Sequence, residues 1–462
     1  MSILSLYLND AAITGVNDKA LLFSEPGYGL AEAEKIVFGE TAFANAWLHP
    51  QRVYKQYWQD LSETPLPRPI LNIHTSADLV HGQLQDLWQR FAADVTSVVC
   101  VVSPHWSRDQ LGLLLGILEE LQIPVAGLVD SAVAQTRREY PGRDVLCLEA
   151  SLGCTVISRM AQDGGASVSE YQVVEGVGTE GLRNACAGYI AEQFVESSRF
   201  DPLQNAVSEQ ELNQALSSWV GRLHGAERID VALKLGDNEF GAVLNSDAMA
   251  RVVAAYCEPV LQKLRSIVGG ERPVALQVCS QLAAFPGLIE ALTRATGGMI
   301  FPLEPGAAAR GALVRRRSLL SGEGGVRMTN RLPWDQDAFV SGSESQAVTE
   351  SVPAKLPTHL LFEGRAYRLG RQPFHIGTEL SEQDEGLCLE RGANGISRRH
   401  CTISLENGRL LVADHSRFGT RLNGHAIDSP AVLQPGDVIQ IGSPAKEFAL
   451  ILEVGGDGQT AI

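Results

Sequence analysis

Between residues 321 and 356 the chain offers almost nothing to bury: SGEGG, SGSESQ and TESVPAKLP follow one another, rich in Gly, Ser, Glu and Pro. Such a stretch cannot bury enough apolar area to offset its ordering entropy, and it reads as a flexible linker. The island RLPWDQDAFV inside it carries groups that a neighbour would cover, but it is read as solvated with the rest. The linker divides the 462 residues into a region 1–320 and a region 357–462, each of which needs a core of its own.

The two regions differ in period. Up to about Leu320, short β-rich runs alternate with amphipathic helices. VTSVVCVVS (95–103) is a buried strand, followed by a helix in RDQLGLLLGILEELQ and a strand in IPVAGLV; a helical SAVAQTRREY, strand DVLCLEA and a turn into TVISRMA come next. That order is α/β. From Pro357 the runs are all short strands punctuated by Gly and Asn: HLLFEG, AYRLG, FHIG, GLCLE, HCTISLENGRLLVAD, TRLNG, DVIQIG and EFALILEV. Such spacing predicts a separate all-β sandwich, with Glu406-Asn407-Gly408 as a hairpin turn.

Charge narrows the partners. With 38 Lys and Arg against 54 Asp and Glu the net charge is −16, which argues against general affinity for nucleic acid or anionic membranes. No apolar run approaches bilayer length, so no membrane insertion is expected. The N-terminus lacks the basic and apolar segments of a signal peptide, and the eight cysteines include no C-x-x-C pair. Buried free thiols in a reducing compartment explain their apolar settings, and a cytoplasmic location is expected.

In the β region, two loops carry the donors that an anion needs. One holds Ser397, Arg398 and Arg399; the other holds Ser416, Arg417, Thr420 and Asn423. Hydroxyl and guanidinium groups converging at one end of a sandwich suit phosphate recognition. These residues stand in a wider order: Ile376-Gly377, then Ser397-Arg398-Arg399-His400, then S-x-x-G-T-x-x-N-G from Ser416 to Gly424, then G-D-x-I-x-I-G from Gly436 to Gly442. In this order the region resembles a forkhead-associated (FHA) domain over nearly its whole length. The resemblance implies binding of phosphothreonine in protein partners. Ser397 would contact the phosphate, Arg417 would sit beside it, Asn423 would hold the recognition loop and His400 would brace the loops. Two positions depart from the family pattern. Thr378 stands where an arginine usually follows Ile-Gly, and Phe418 replaces the common Asn before Gly-Thr. Losing one cation from such a site costs about 1.5–3 kcal/mol, which Arg398, Arg399 or Arg417 would have to offset. Phosphate-independent docking is the alternative.

The α/β region resembles DnaK-type heat-shock chaperones in a series of segments taken in order. They are FGETAFANAWLHPQRVYKQYW, SVVCVVSPHWSRDQLGLLLGILEELQIPVAGLVDSAVAQTRREY, LCLEASLGCTVIS, QVCSQLAAFPGLIEAL and PLEPGAAARGALV. The resemblance implies the two-lobed actin/chaperone-like ATPase fold, with a nucleotide cleft between three loops. At the first loop stand Asn9 and Asp10, with no glycine before Gly15; at the second, Glu149 and Gly153 are kept but Ser151 and Leu152 replace glycines; at the third, Cys279 and Ser280 replace a glycine pair. A glycine that admits a phosphate or ribose close to the backbone is not readily exchanged for Leu or Cys. Asn9, Asp10, Glu149, Gly153, Cys279 and Ser280 are therefore read as a vestigial nucleotide cleft and the body as a pseudo-ATPase, with no cofactor expected. The alternative is a working chaperone-like ATPase binding ATP and magnesium and regulated through the FHA domain.

Other combinations carry less. Asp414-His415-Ser416 holds the residue types of a hydrolase triad, but three neighbours in a loop cannot converge as a triad does. His105 at a strand end reads as packing or capping, Glu119-Glu120 as a solvated helix face, and no histidine spacing suits a metal. The reading is a non-catalytic adaptor, or a subunit of a larger complex, whose tether lets body and β domain act together on a phosphorylated protein partner.

Overall fold

The computed structural model describes residues 2–320, 326–335 and 359–451, apart from 71, 237, 271, 363–364, 370–371, 381–384, 390–394, 407–408, 423–424, 428–429, 434–436 and 443–444. Asn423, the Asn407-Gly408 pair and Gly436 lie outside the described residues. The chain forms two compact units, 1–350 and 351–462.

The first unit is mixed α/β and contains one strand topology twice. β1 (Ser2–Leu8), β2 (Ile13–Val16), β3 (Leu21–Glu25), β4 (Val95–Val102) and β5 (Val125–Asp130) form a sheet in the order β3-β2-β1-β4-β5. β6 (Asp144–Ala150), β7 (Cys154–Gln162), β8 (Ala166–Glu175), β9 (Val274–Val278) and β10 (Met299–Pro302) repeat it as β8-β7-β6-β9-β10. In each sheet the first three strands run as an antiparallel meander and the last two run parallel to the first. The parallel strands are the apolar ones, because both their faces are covered: five consecutive residues of β4, Val98 to Val102, are fully buried. Helices Ser76–Phe91 and Arg108–Glu120 each start at a capping box, Thr75 with Asp78 and Ser107 with Gln110.

Two expectations need correction. The helix after β5 ends at Gln135 and does not continue to Tyr140. Thr136 folds its hydroxyl back onto Ala132 O and Gln277 Oε1, and Arg137 leaves the helix to meet Asp335. The body also extends past residue 320. β11 (Met328–Thr329) adds to the edge of β5, and β12 (Arg331–Leu332) adds to the edge of β8, so one short segment binds both sheets. Leu332 is fully buried, and Asp335 is 4% exposed with Arg137 Nε 2.8 Å from its carboxylate. Composition misses this because two-residue bridges have no hydrophobic period, and the segment is held from elsewhere in the chain.

The second unit is a β-sandwich. Its six-stranded sheet includes His359–Phe362, Lys446–Ile451 and Val438–Ile441; its five-stranded sheet includes Phe374–Gly377, Cys401–Glu406 and Arg409–Asp414. Glu406 pairs with Arg409, so the last two strands form the expected hairpin across two intervening residues. Phe374, Ile376, Cys401, Ile403, Val412, Ile439 and Phe448 form the core between the sheets.

Candidate functional site

In the sandwich, the loop before strand Cys401–Glu406 and the loop after strand Arg409–Asp414 lie together, and His400 joins them. Ser397 N–H donates to His400 Nδ1 at 3.0 Å, which leaves the proton on Nε2, 3.3 Å from Gly419 O. The His400 backbone donates to Ile376 O and accepts from His415 N–H. Burial lowers the pKa of this imidazole and keeps it neutral. Ser397 Oγ accepts the Arg417 N–H at 3.2 Å, so the two candidate loops are bonded directly to each other.

The second loop supports itself. Ser416 Oγ accepts from Gly419 N–H at 2.7 Å and from Phe418 N–H at 3.2 Å. Asp414 Oδ1 accepts from Ser416 N–H and Thr420 Oγ1. Burial would raise the Asp414 pKa, but the Thr420 and Ser416 hydrogen bonds outweigh it and hold the carboxylate below its ordinary range. Gly419 sits at φ +83°, where a side chain would be strained, and Phe418 projects outward at 66% exposure. Asp414-His415-Ser416 is thus a loop brace, with no hydrogen bond between His415 and Ser416 side chains among the described residues.

The three candidate cations take different positions. Arg398 is exposed and 3.5 Å from Glu379. Arg417 is exposed beside Ser397. Arg399 turns to the outer face of the sheet, where Nη2 lies 3.1 Å from His375 Nε2. Thr378, at the position of the missing arginine, donates its N–H to Ser397 O at 3.3 Å.

In the body, the candidate cleft residues gather at the carboxyl ends of β1, β6 and β9, as ligand-binding positions do in open parallel sheets. Asn9 Nδ2 reaches Ala150 O at 3.1 Å and Glu149 Oε1 at 3.4 Å. Glu149 also accepts from Ser131 Oγ. Asp10 Oδ1 accepts the Leu152 N–H at 2.8 Å, and Asp10 Oδ2 is buried without a hydrogen-bond partner. Cys279 N–H donates to Leu148 O at 3.0 Å, continuing the sheet, and Cys279 is 7% exposed; Ser280 follows at the start of a four-residue helix.

Three of these acids are pushed up. Burial raises Asp10 to about 7 against the pull of its backbone hydrogen bonds. Burial and the neighbouring Glu149 raise Asp130, the cap of helix Ser131–Gln135, to about 7. Burial raises Glu149 despite the Ser131 and Ser103 hydroxyls. His105, with Nδ1 2.9 Å from Ser103 Oγ, is lowered by burial.

The space between these groups is small. Asn9, Asp10, Ser103, His105, Glu149, Ser151, Trp58 and Trp106 border a cavity of about 10 Å³, roughly the room one water requires. Leu152 is 4% exposed, packed with Tyr28, Leu30, Ala42 and Ala46. Trp58 is sealed in by a hydrogen bond to Gln83, and the glutamine also takes the Tyr57 hydroxyl. At Gly153 a Cβ would come within 2.8 Å of Gln59 Oε1 and 2.9 Å of Gln56 Cδ, so this glycine admits two glutamines. Asp10 is bonded directly to Leu152 beside this cavity. No group of three or more His, Cys, Asp or Glu suited to a metal occurs among the described residues.

Sequence reasoning passed over Tyr7, Ser103, Asp130, Ser131 and Trp58. The first four share a readable signal, a polar group in or beside the end of an apolar strand, whereas Trp58 stands in a turn outside any helix or strand.

Residues 367–442 match the family model of the FHA domain. No curated protein matches the chain. No described helix is long and apolar enough to cross a membrane.

Proposed function

We propose that this chain is a non-catalytic scaffold that binds phosphothreonine-bearing protein partners through Ser397, Arg398 and Arg417. The carrying observation is the bond from the Arg417 backbone N–H to Ser397 Oγ, which sets Ser397 and the exposed Arg417 side by side on loops held by His400. The body is an actin/chaperone-like fold; the twice-used strand order and the positions of Asn9, Glu149 and Cys279 at strand ends support that reading. The contact of Asp10 with Leu152 supports the absence of turnover. Action in the cytoplasm, as an adaptor or a subunit of an assembly, belongs to the same reading.

The test is binding of the full chain to phosphothreonine peptides and their unphosphorylated counterparts. Binding of the phosphorylated forms alone, lost in Ser397→Ala, is expected; equal binding of both forms would replace the reading with phosphate-independent docking. Calorimetric titration with Mg-ATP tests the body, where no heat of binding is expected and hydrolysis would restore the ATPase alternative.

A further inference from the structure

The outer face of the five-stranded sheet holds a second polar concavity. Strand alternation buries Phe374 and Ile376 and turns His375 to the opposite face, where it lies in a cross-strand row with Thr402 and Ala413. Pro373, Ser404, Arg399 and His415 complete a concavity of about 390 Å³, with no carboxylate among its described lining residues. The hydrogen bonds inside it have a direction. A guanidinium only donates, so His375 Nε2 accepts from Arg399 at 3.1 Å and the imidazole proton sits on Nδ1. Nδ1 lies 2.9 Å from Thr402 Oγ1 and donates to it, which keeps the Thr402 hydroxyl hydrogen for another acceptor. One guanidinium, two imidazoles and two hydroxyls around one concavity suit an anion.

We infer that this concavity is a second anion subsite, taking a phosphate or carboxylate that flanks the phosphothreonine on the same bound segment. The inference rests on the phosphothreonine reading of the Ser397 loops. The two sites are built on the same pieces of chain: Arg399 follows Ser397 by two residues, His415 precedes Arg417 by two, and His415 N–H donates to His400 O at 2.8 Å. An extended peptide advances about 3.3 Å per residue, so a flanking side chain reaches from one site to the other within a few positions.

The experiment measures affinity of the full chain for a phosphothreonine peptide in which phosphoserine, or aspartate, is placed in turn at each flanking position. At one position the second phosphate tightens binding about tenfold, the scale of one charge-assisted contact, and aspartate gives a smaller gain. The double variant Thr402→Val, Ser404→Ala keeps the affinity for the singly phosphorylated peptide and loses the gain. A gain only with phosphate assigns the subsite to a second phosphorylation; a gain with both groups assigns it to acidic segments in general. No gain at any position, or a gain that survives in the double variant, overturns the inference while leaving the Ser397 site intact. Failure of the singly phosphorylated peptide to bind overturns the reading of the Ser397 loops and the subsite with it.

Discussion

Asp10 and Leu152, separated by 142 positions, are joined directly: Asp10 Oδ1 accepts the Leu152 backbone N–H at 2.8 Å. The bond ties the turn after β1 to the turn after β6, linking the two sheets at their carboxyl ends. It also holds Asp10 Oδ2 in a buried place without a partner, and burial lifts the carboxyl to about 7. An acid raised in the folded state stabilises below its unfolded value and loses that contribution as pH rises to the folded value. Asp10→Asn keeps the acceptor for Leu152 and removes the charge. At pH 8 the variant should unfold about 1–3 kcal/mol later than the parent in urea, and the difference should narrow toward pH 5. A difference independent of pH would show that Asp10 is not charged at the upper end.

The two units should respond to pH in opposite directions. In the body, Asp10 and Asp130 at about 7, with Glu149 also raised, lose stability as pH climbs from about 4 to 7; neutral His105, lowered by burial, acts the other way on a smaller scale. In the sandwich, His400 is held neutral, so stability present above about 6.5 is lost as pH falls through that value toward the lowered one. All 6 tryptophans lie at or before residue 334, so tryptophan fluorescence follows the body alone while far-ultraviolet dichroism follows both units. Moving from pH 7.5 to 5.5 should raise the fluorescence midpoint and lower the transition of the sandwich. Parallel shifts would mean that the buried acids are not what governs the body.

The local elements were legible and the long-range ones were not. β4 announced itself as VVCVV because both its faces are covered, and the sandwich announced itself through regular short strands punctuated by Gly and Asn. Glu149 was readable as the polar end of an apolar strand. The repeated strand order left no mark in the sequence, since an order of pairing is a property of partners far apart. Trp58 filling the space beside Asp10, and Leu332 filling the edge of β8, are likewise decided by what they meet. The helix expected over SAVAQTRREY stops early, where Thr136 turns its hydroxyl to Gln277 and Arg137 pairs with Asp335, partners far away in the chain.

Asp335 ties the segment after residue 320 to the body. Its carboxylate bonds Arg137 at 2.8 Å, and its charge faces Arg315, whose pKa burial pushes down to about 10 even though Asp335 pulls it up. Arg315 donates to the carbonyls of Val133, Ala134, Thr136 and Gly311, so the guanidinium closes the end of helix Ser131–Gln135. Asp335→Ala leaves both cations without this carboxylate, and the body should lose about 2–4 kcal/mol by tryptophan-monitored urea unfolding. A chain cut after residue 320 should be less stable still, because it also loses both edge strands. Unchanged stability of either form would return the segment to the linker.

His400 is the last of these positions, and its effect separates support from contact. The imidazole is buried and makes two hydrogen bonds, accepting from Ser397 N–H and donating to Gly419 O; its backbone makes two more that do not depend on the side chain. His400→Ala therefore removes two bonds worth about 0.5–1.5 kcal/mol each and leaves two polar groups to find water, for a loss of about 2–4 kcal/mol. The loss should be local before it is global. Hydrogen exchange should quicken at Ser397 and Arg417, whose amides depend on the loop contact, while the paired amides of strand Cys401–Glu406 stay protected at low denaturant. Ser397→Ala removes only the acceptor of Arg417 N–H and should cost about 1 kcal/mol or less. If both variants weaken phosphopeptide binding but only His400→Ala quickens exchange at the Ser397 amide, Ser397 acts by touching the ligand and His400 by holding the loop that carries it.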